Sequence, residues 1–201
     1  TLSGGTVTTG TGTLTLGGNL TSLASITTSS LSGNLSLGGV TRTFSVGSGT
    51  AAPDLSVSAN ISGTGDAGIT KTGAGQMTLS GANTYTGITT IDGFVILASD
   101  SALGANGFST NGTVLNAHGF LLVQGVDIGN EFLALAGTTD FRSSGTASWA
   151  GPITVNGDVD INVFGGTFTN SGAITGGGGI TKGQSGTLIY AGSGANTYSG
   201  G

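Results

Sequence analysis

The stretch Gly68-Ile69-Thr70-Lys71-Thr72-Gly73-Ala74-Gly75-Gln76-Met77-Thr78-Leu79-Ser80-Gly81 decides how the rest of the chain is read. Met77 and Leu79 stand two residues apart, so on an extended backbone they share one face while Gln76 and Thr78 take the other. Gly73 and Gly75 break the run before a helix could form, and the Thr residues favour a pleated strand. The same pairing recurs at Leu14/Leu16, Leu35/Leu37, Leu55/Val57, Val95/Leu97, Leu133/Leu135, Ile153/Val155 and Leu188/Tyr190. Successive pairs, with Met77/Leu79 in its place, lie 21, 20, 22, 18, 38, 20 and 35 residues apart, and the two long gaps leave room for one further pair each. Those extra pairs are expected near Val114 and near Phe168 or Ile174. Short strands repeated at a fixed step predict an all-β solenoid, with about ten coils of about 20 residues stacked on one another. Leu, Ile, Val and Phe are expected to point inward, and Thr and Ser outward.

Composition agrees with that reading. Of 201 residues 42 are Gly, and Gly, Thr, Ser and Asn together exceed half the chain. Only 6% of residues are charged, against about a quarter in ordinary globular domains, so an ordinary helical or α/β enzyme is not expected. A disordered linker is not expected either, because 36% of the residues are apolar and the mean hydropathy is +0.27, enough for a core. The net charge is −5, and Arg42, Lys71, Arg142 and Lys182 are scattered singly, which excludes binding to a phosphate backbone. No apolar run approaches the roughly 20 residues of a membrane span and no basic amphipathic helix is visible, so this segment is not expected to insert into a membrane. The absence of Cys excludes disulfides and thiol chemistry. The chain starts at Thr1 without Met or a signal peptide, and reads as a mature product or an excerpt of a longer polypeptide.

A longer period overlies the short one. Residues 68–81 return as Gly179-Ile180-Thr181-Lys182-Gly183-Gln184-Ser185-Gly186-Thr187-Leu188-Ile189-Tyr190-Ala191-Gly192, 111 residues on. After a two-residue insertion, Ala82-Asn83-Thr84-Tyr85-Thr86-Gly87 returns as Ala195-Asn196-Thr197-Tyr198-Ser199-Gly200. Upstream, Ala59-Asn60-Ile61-Ser62-Gly63 is answered by Gly172-Ala173-Ile174-Thr175-Gly176. The chain therefore divides into a module over residues 1–87 and a second over 88–201, within one continuous solenoid, with Lys71, Gly75, Asn83 and Tyr85 answered by Lys182, Gly186, Asn196 and Tyr198. The first repeat is followed by Ile88-Thr89-Thr90-Ile91-Asp92-Gly93-Phe94-Val95, and Thr1-Leu2-Ser3-Gly4-Gly5-Thr6-Val7 fits that pattern when placed after Gly201. The end reads into the beginning, either as one unit of a tandem array or as identical subunits stacked head to tail. Thr1, Leu2, Val7, Tyr198 and Gly201 are the residues expected at such a junction.

These residues resemble the autotransporter-associated β-strand repeat, also called the passenger-associated transport repeat. Its typical form runs Gly-Leu-Thr-Lys-x-Gly-x-Gly-Thr-Leu-x-Leu-x-Gly-x-Asn-x-Tyr-x-Gly-Gly. Residues 68–97 match it closely, while residues 179–201 depart at Gly183-Gln184 and at the inserted Ser193-Gly194, departures that touch only the local turn. The resemblance implies a right-handed parallel β-helix, exported to the bacterial cell surface or beyond, that serves as a stalk, adhesin or fibre.

Residues with chemical potential are few. Asp158, Asp160 and Asn162 alternate along one strand and carry oxygens suited to Ca²⁺, but the β-branched residues between them are wrong for a calcium loop, and a solvated strand face is the better reading. His118 is the only histidine and reads as a surface or turn residue, since no nucleophile elbow accompanies it. The Gly-rich stretches read as turns and not as phosphate cradles, because no helix follows them. Trp149, Tyr85 and Tyr198 are the residue types that stack on sugars, yet the Asn-Thr-Tyr context favours corner closure. Phe94, Phe108, Phe120, Phe132, Phe141, Phe164 and Phe168 are expected to fill the core of the second module. No catalytic residue, cofactor or metal is expected.

The leading expectation is an extracellular structural rod or fibre that is not an enzyme, with itself as partner by head-to-tail stacking or tandem continuation. An adhesin binding glycans or surfaces through the helix faces is the second reading. A polysaccharide-degrading enzyme built on Asp158 and Asp160 is the third.

Overall fold

The computed structural model of the chain describes residues 1–105, 107 and 109–200. Every strand pairing in it is parallel, and no helix occurs among the described residues. The strands form a 12-stranded and an 8-stranded sheet.

The larger sheet is bent into two faces. Val159–Asn170 pairs with Ile180–Gly183 through its first half and with Thr187–Tyr190 through its second. Thr139–Trp149 likewise pairs with Phe120–Gln124 and then with Asp127–Ile128. The bends fall at Gly145 (φ 71°) and at Gly165 and Gly166 (φ 70° and 69°), a left-handed backbone that a side chain strains and glycine accepts. Each coil therefore visits a first face in the 8-stranded sheet, then a second and a third face on either side of the bend.

The first face stacks Leu20–Ser22, Arg42–Val46, Ile69–Thr72, Thr89–Ile91, Thr113–Leu115, Leu133–Leu135, Ile153–Val155 and Ile174–Thr175. Below them Leu2 bridges to Ser22, which makes nine coils among the described residues. The expected ten are reduced because the step is uneven: Leu79 pairs with Leu97, 18 residues on, but Phe44 pairs with Lys71, 27 residues on. The eight apolar pairs read from the sequence also prove to come from all three faces. Met77/Leu79 stacks directly under Val95/Leu97, whereas Leu35 stacks on Ile61 and not on Leu55.

One column of side chains fills the interior, with Leu55, Val57, Leu79, Val95, Leu121, Val123 and Val163 fully enclosed on the second face alone. Burial of a side chain of this size contributes about 1.5–3 kcal/mol, and stacking repeats it coil after coil. Of the aromatic set, Phe141 and Phe168 are in this core. Phe94, Phe120, Phe132 and Phe164 are not: strand alternation turns Phe94, Phe120 and Phe164 to the outer surface, and Phe164 is 42% exposed. Phe108 lies outside the described residues.

Candidate functional site

The first repeat builds three corners in succession. Lys71 is an inward residue of Ile69–Thr72, stacked between Phe44 and Ile91 and fully enclosed. Its Nζ donates to the carbonyl of Gly73 at 2.6 Å, so the ammonium ties down the turn that follows its own strand. Burial pushes this amine down to about 8, while the carboxylates of Asp54 and Asp92 pull the other way. Gly75 then approaches the coil below: its N–H donates to Val46 O at 2.9 Å, and a Cβ there would stand 2.4 Å from Gly47 O. Asn83 joins three coils, since Oδ1 accepts from Ile61 N at 2.8 Å and Nδ2 donates to Ala102 O at 2.6 Å. Tyr85 closes the third corner, wholly buried, with its hydroxyl 2.7 Å from Thr89 Oγ1.

The second repeat makes three of the same bonds. Lys182 Nζ donates to Gln184 O, Gly186 N donates to Val163 O at 2.9 Å, and Asn196 Oδ1 accepts from Ile174 N at 2.9 Å. The Gly183-Gln184 departure leaves the turn intact, because Gln184 takes the left-handed conformation (φ 66°) that Gly73 takes in the first repeat.

What differs is the face. Ile69–Thr72 lies on the first face and Gln76–Leu79 on the second, but Ile180–Gly183 lies on the second and Thr187–Tyr190 on the third. Thr84 N donates to Ile61 O on the third face, whereas Thr197 N donates to Ile174 O on the first. The second repeat is the first one carried one face further round the solenoid.

The two outer coils are open. Leu2 and Val7 are half-buried, Thr1 is exposed, and a cavity of about 180 Å³ lined by Leu2, Val7, Leu14, Leu16, Leu20 and Leu31 opens at the first coil. At the other end Ile189 and Tyr190 are about two-fifths exposed, Lys182 is exposed where Lys71 is enclosed, and Tyr198 is half-buried where Tyr85 is buried. Gly201 lies outside the described residues.

The remaining candidates are not gathered into a catalytic or metal centre. Asp158 Oδ1 accepts from Gly179 N at 2.8 Å in the next coil, Asp160 faces solvent, and Asn162 donates to Asp140. No group of three His, Asp or Glu side chains able to hold a metal occurs among the described residues. His118 sits on an exposed turn 3.9 Å from Asp92. Trp149 and Tyr85 are fully enclosed and offer no platform to a sugar; Trp149 Nε1 donates to Glu131 O at 2.7 Å.

Two features had no visible signal in the sequence. On the outer second face, the Arg142 guanidinium lies 3.8 Å from the centre of the Phe120 ring and forks onto Asp140, while Phe94 packs 4.1 Å from Phe120 on its other side. Inside, the Glu131 carboxyl is fully enclosed, with Oε1 accepting from Thr113 Oγ1 at 2.8 Å and Oε2 without a partner among the described residues. Burial pushes this acid up to about 7, against the hydrogen bonds from Thr113 and the Gly107 backbone.

Parallel coils, a single internal column and repeated corners define the class, a parallel β-solenoid. Residues 69–93 match the family model described as Passenger-associated-transport-repeat. Over 165 residues, 81% of this chain, the sequence is 35% identical to the adhesin BmaC autotransporter of Brucella suis biovar 1 (strain 1330). The aligned region amounts to 4% of that relative's length. No solved structure matches the chain significantly. The chain is an autotransporter-associated β-repeat protein.

Proposed function

We propose that this chain is a structural passenger segment, exposed at the cell surface or outside the cell, whose task is to supply a stiff rod that stacks end to end or continues in tandem. The observation that carries the reading is the unbroken parallel ladder, in which successive coils are hydrogen-bonded one on another along both sheets. At about 4.8 Å per coil the nine coils make a rod roughly 40 Å long, so reach grows linearly with the number of units. The likeness to an autotransporter supports export, and the dispersed acids and lone exposed histidine support a role without catalysis. Sedimentation of the 19.2 kDa chain over a concentration series tests this. Association rising with concentration is expected, and a strict monomer throughout would refute end-to-end stacking.

A second reading has its own observation. The relative's printed name is that of an adhesin, and the outer second face carries Phe94, Phe120, Phe164, Arg142 and Asp140 close together. Binding to a glycan array that disappears in Phe164→Ala, with the fold retained, would establish it. A wild-type chain inert on the array would remove it.

A further inference from the structure

We infer that two copies of this chain pack side by side, parallel and in register, through the outer side of the second face, about a two-fold axis that runs along the rods between Asp140 and Arg142. The inference uses no contact at either end of the chain, and it gives to a second copy the face on which the adhesin reading places a ligand.

Strand register sorts the outward side chains of this face into columns. One column runs through Gln76, Phe94, Phe120, Asp140 and Asp160. The next, two residues further along each strand, runs through Ser30, Ser56, Thr78, Ile96, Leu122 and Arg142. Successive coils thus present rows of two: polar Gln76/Thr78, apolar Phe94/Ile96 and Phe120/Leu122, charged Asp140/Arg142, then polar Asp160/Asn162. Of the four basic residues in the chain, Arg142 alone points outward on this face. Lys182 stacks on the inward Ile161, and Arg42 and Lys71 belong to the first face.

The Arg142 guanidinium is already aimed. It lies 3.8 Å from the centre of the Phe120 ring and 5.2 Å from that of Phe164. Nε and Nη2 donate to Asp140 at 2.9 and 2.6 Å, while Nη1 bonds no described residue and the side chain is 34% exposed. Donors on Nη1 therefore remain for a carboxylate arriving from outside, on a side chain whose geometry is fixed beforehand.

A second copy supplies that carboxylate. A two-fold axis along the rods sets each row against itself with its columns exchanged. Phe94 then meets Ile96 of the other copy, Phe120 meets Leu122, and Asp140 of each copy meets Arg142 of the other. An antiparallel pair centred on the apolar rows sets Asp140 and Arg142 against Gln76 and Thr78, and neither charge finds its opposite. Ser30, Ser56 and Thr78 are short enough to let the two faces approach to the roughly 10 Å of stacked sheets. Nine coils and strands of about five residues give a face of roughly 40 by 17 Å, so each rod offers about 700 Å², near the roughly 800 Å² per partner of a specific interface.

Charge exchange tests the axis. Asp140→Arg and Arg142→Asp each place like charges across it, so either variant alone is expected to associate about tenfold more weakly or worse in sedimentation equilibrium. An equimolar mixture of the two is expected to recover association, because every new arginine then faces an aspartate of the other copy. Two folded variants whose mixture stays as weak as its parts would overturn the axis. The chain has no cysteine, so a nitroxide on Ser30→Cys reads the arrangement with the charged row untouched, whatever the charge variants do to folding. Labels in parallel, registered copies are expected within about 20 Å of each other. A separation of about 40 Å would mean end-to-end stacking without lateral pairing, and one above about 30 Å an antiparallel pair; either overturns the inference. Monomers at every concentration with no coupling between labels would overturn it too, and binding of such monomers to a glycan array would leave this face to the adhesin reading.

Discussion

Tyr85 and Thr89, four residues apart, meet inside the core with their oxygens 2.7 Å apart and both side chains buried. Burial holds the phenol far above its ordinary range, so it stays a neutral donor or acceptor at any physiological pH. Tyr85→Phe leaves Thr89 unpaired and is expected to cost about 1–3 kcal/mol, while Tyr85→Phe/Thr89→Val, which removes both partners, costs less than the sum of the single changes. Denaturant melts of the four proteins read this coupling.

Asn83 and Asn196 hold equivalent places with unequal surroundings. Asn83→Ala orphans two backbone groups between coils and should cost roughly 2–4 kcal/mol. Asn196→Ala frees only Ile174 N in an open coil and should cost about 1 kcal/mol. Equal losses would contradict the account of the two ends.

Glu131 makes stability depend on pH. The unfolded carboxyl ionises near 4.5 and the folded one near 7. Below the lower value both states hold the proton and the fold has its full stability from this group. As pH rises towards 7 only the folded state keeps the proton, and stability falls by about 3 kcal/mol in all, at about 1.4 kcal/mol per pH unit. Thermal melts should therefore show a lower Tm at pH 8 than at pH 4.5, and Glu131→Gln should remove most of that difference.

Glycines stacked at one corner should be intolerant. A Cβ on Gly151 would stand 1.9 Å from Glu131 O and one on Gly172 would stand 1.8 Å from Gly151 O, so backbone must move in either case. Gly151→Ala should lower stability by more than about 2 kcal/mol. Gly18, with nothing within 4 Å, should accept Ala within about 0.5 kcal/mol.

Much of this architecture is legible in the residues themselves. Alternation at Met77/Leu79 and Val95/Leu97 follows from the strand's period of two, and the coil step follows from their recurrence. Assigning pairs to faces is not legible, because Leu35 and Leu55 look alike in sequence and only loop length decides which side of a bend each occupies. The equivalence of Lys71 and Lys182 is plain from their motif, but the burial of one and exposure of the other depends on whether a coil lies above. Phe120 reads as core by hydrophobicity. Its outward place is stabilised by Arg142 on the adjacent coil, a contact that no local pattern announces. Glu131 gives no sign either, since Asn130-Glu131-Phe132 has the composition of an exposed turn.

Electron microscopy of the concentrated chain, with diffraction along any rods, addresses the central claim most directly. Unbranched rods with an axial repeat of about 4.8 Å and lengths in multiples of roughly 40 Å are the predicted result. Discrete compact particles of a single chain at every concentration would contradict it.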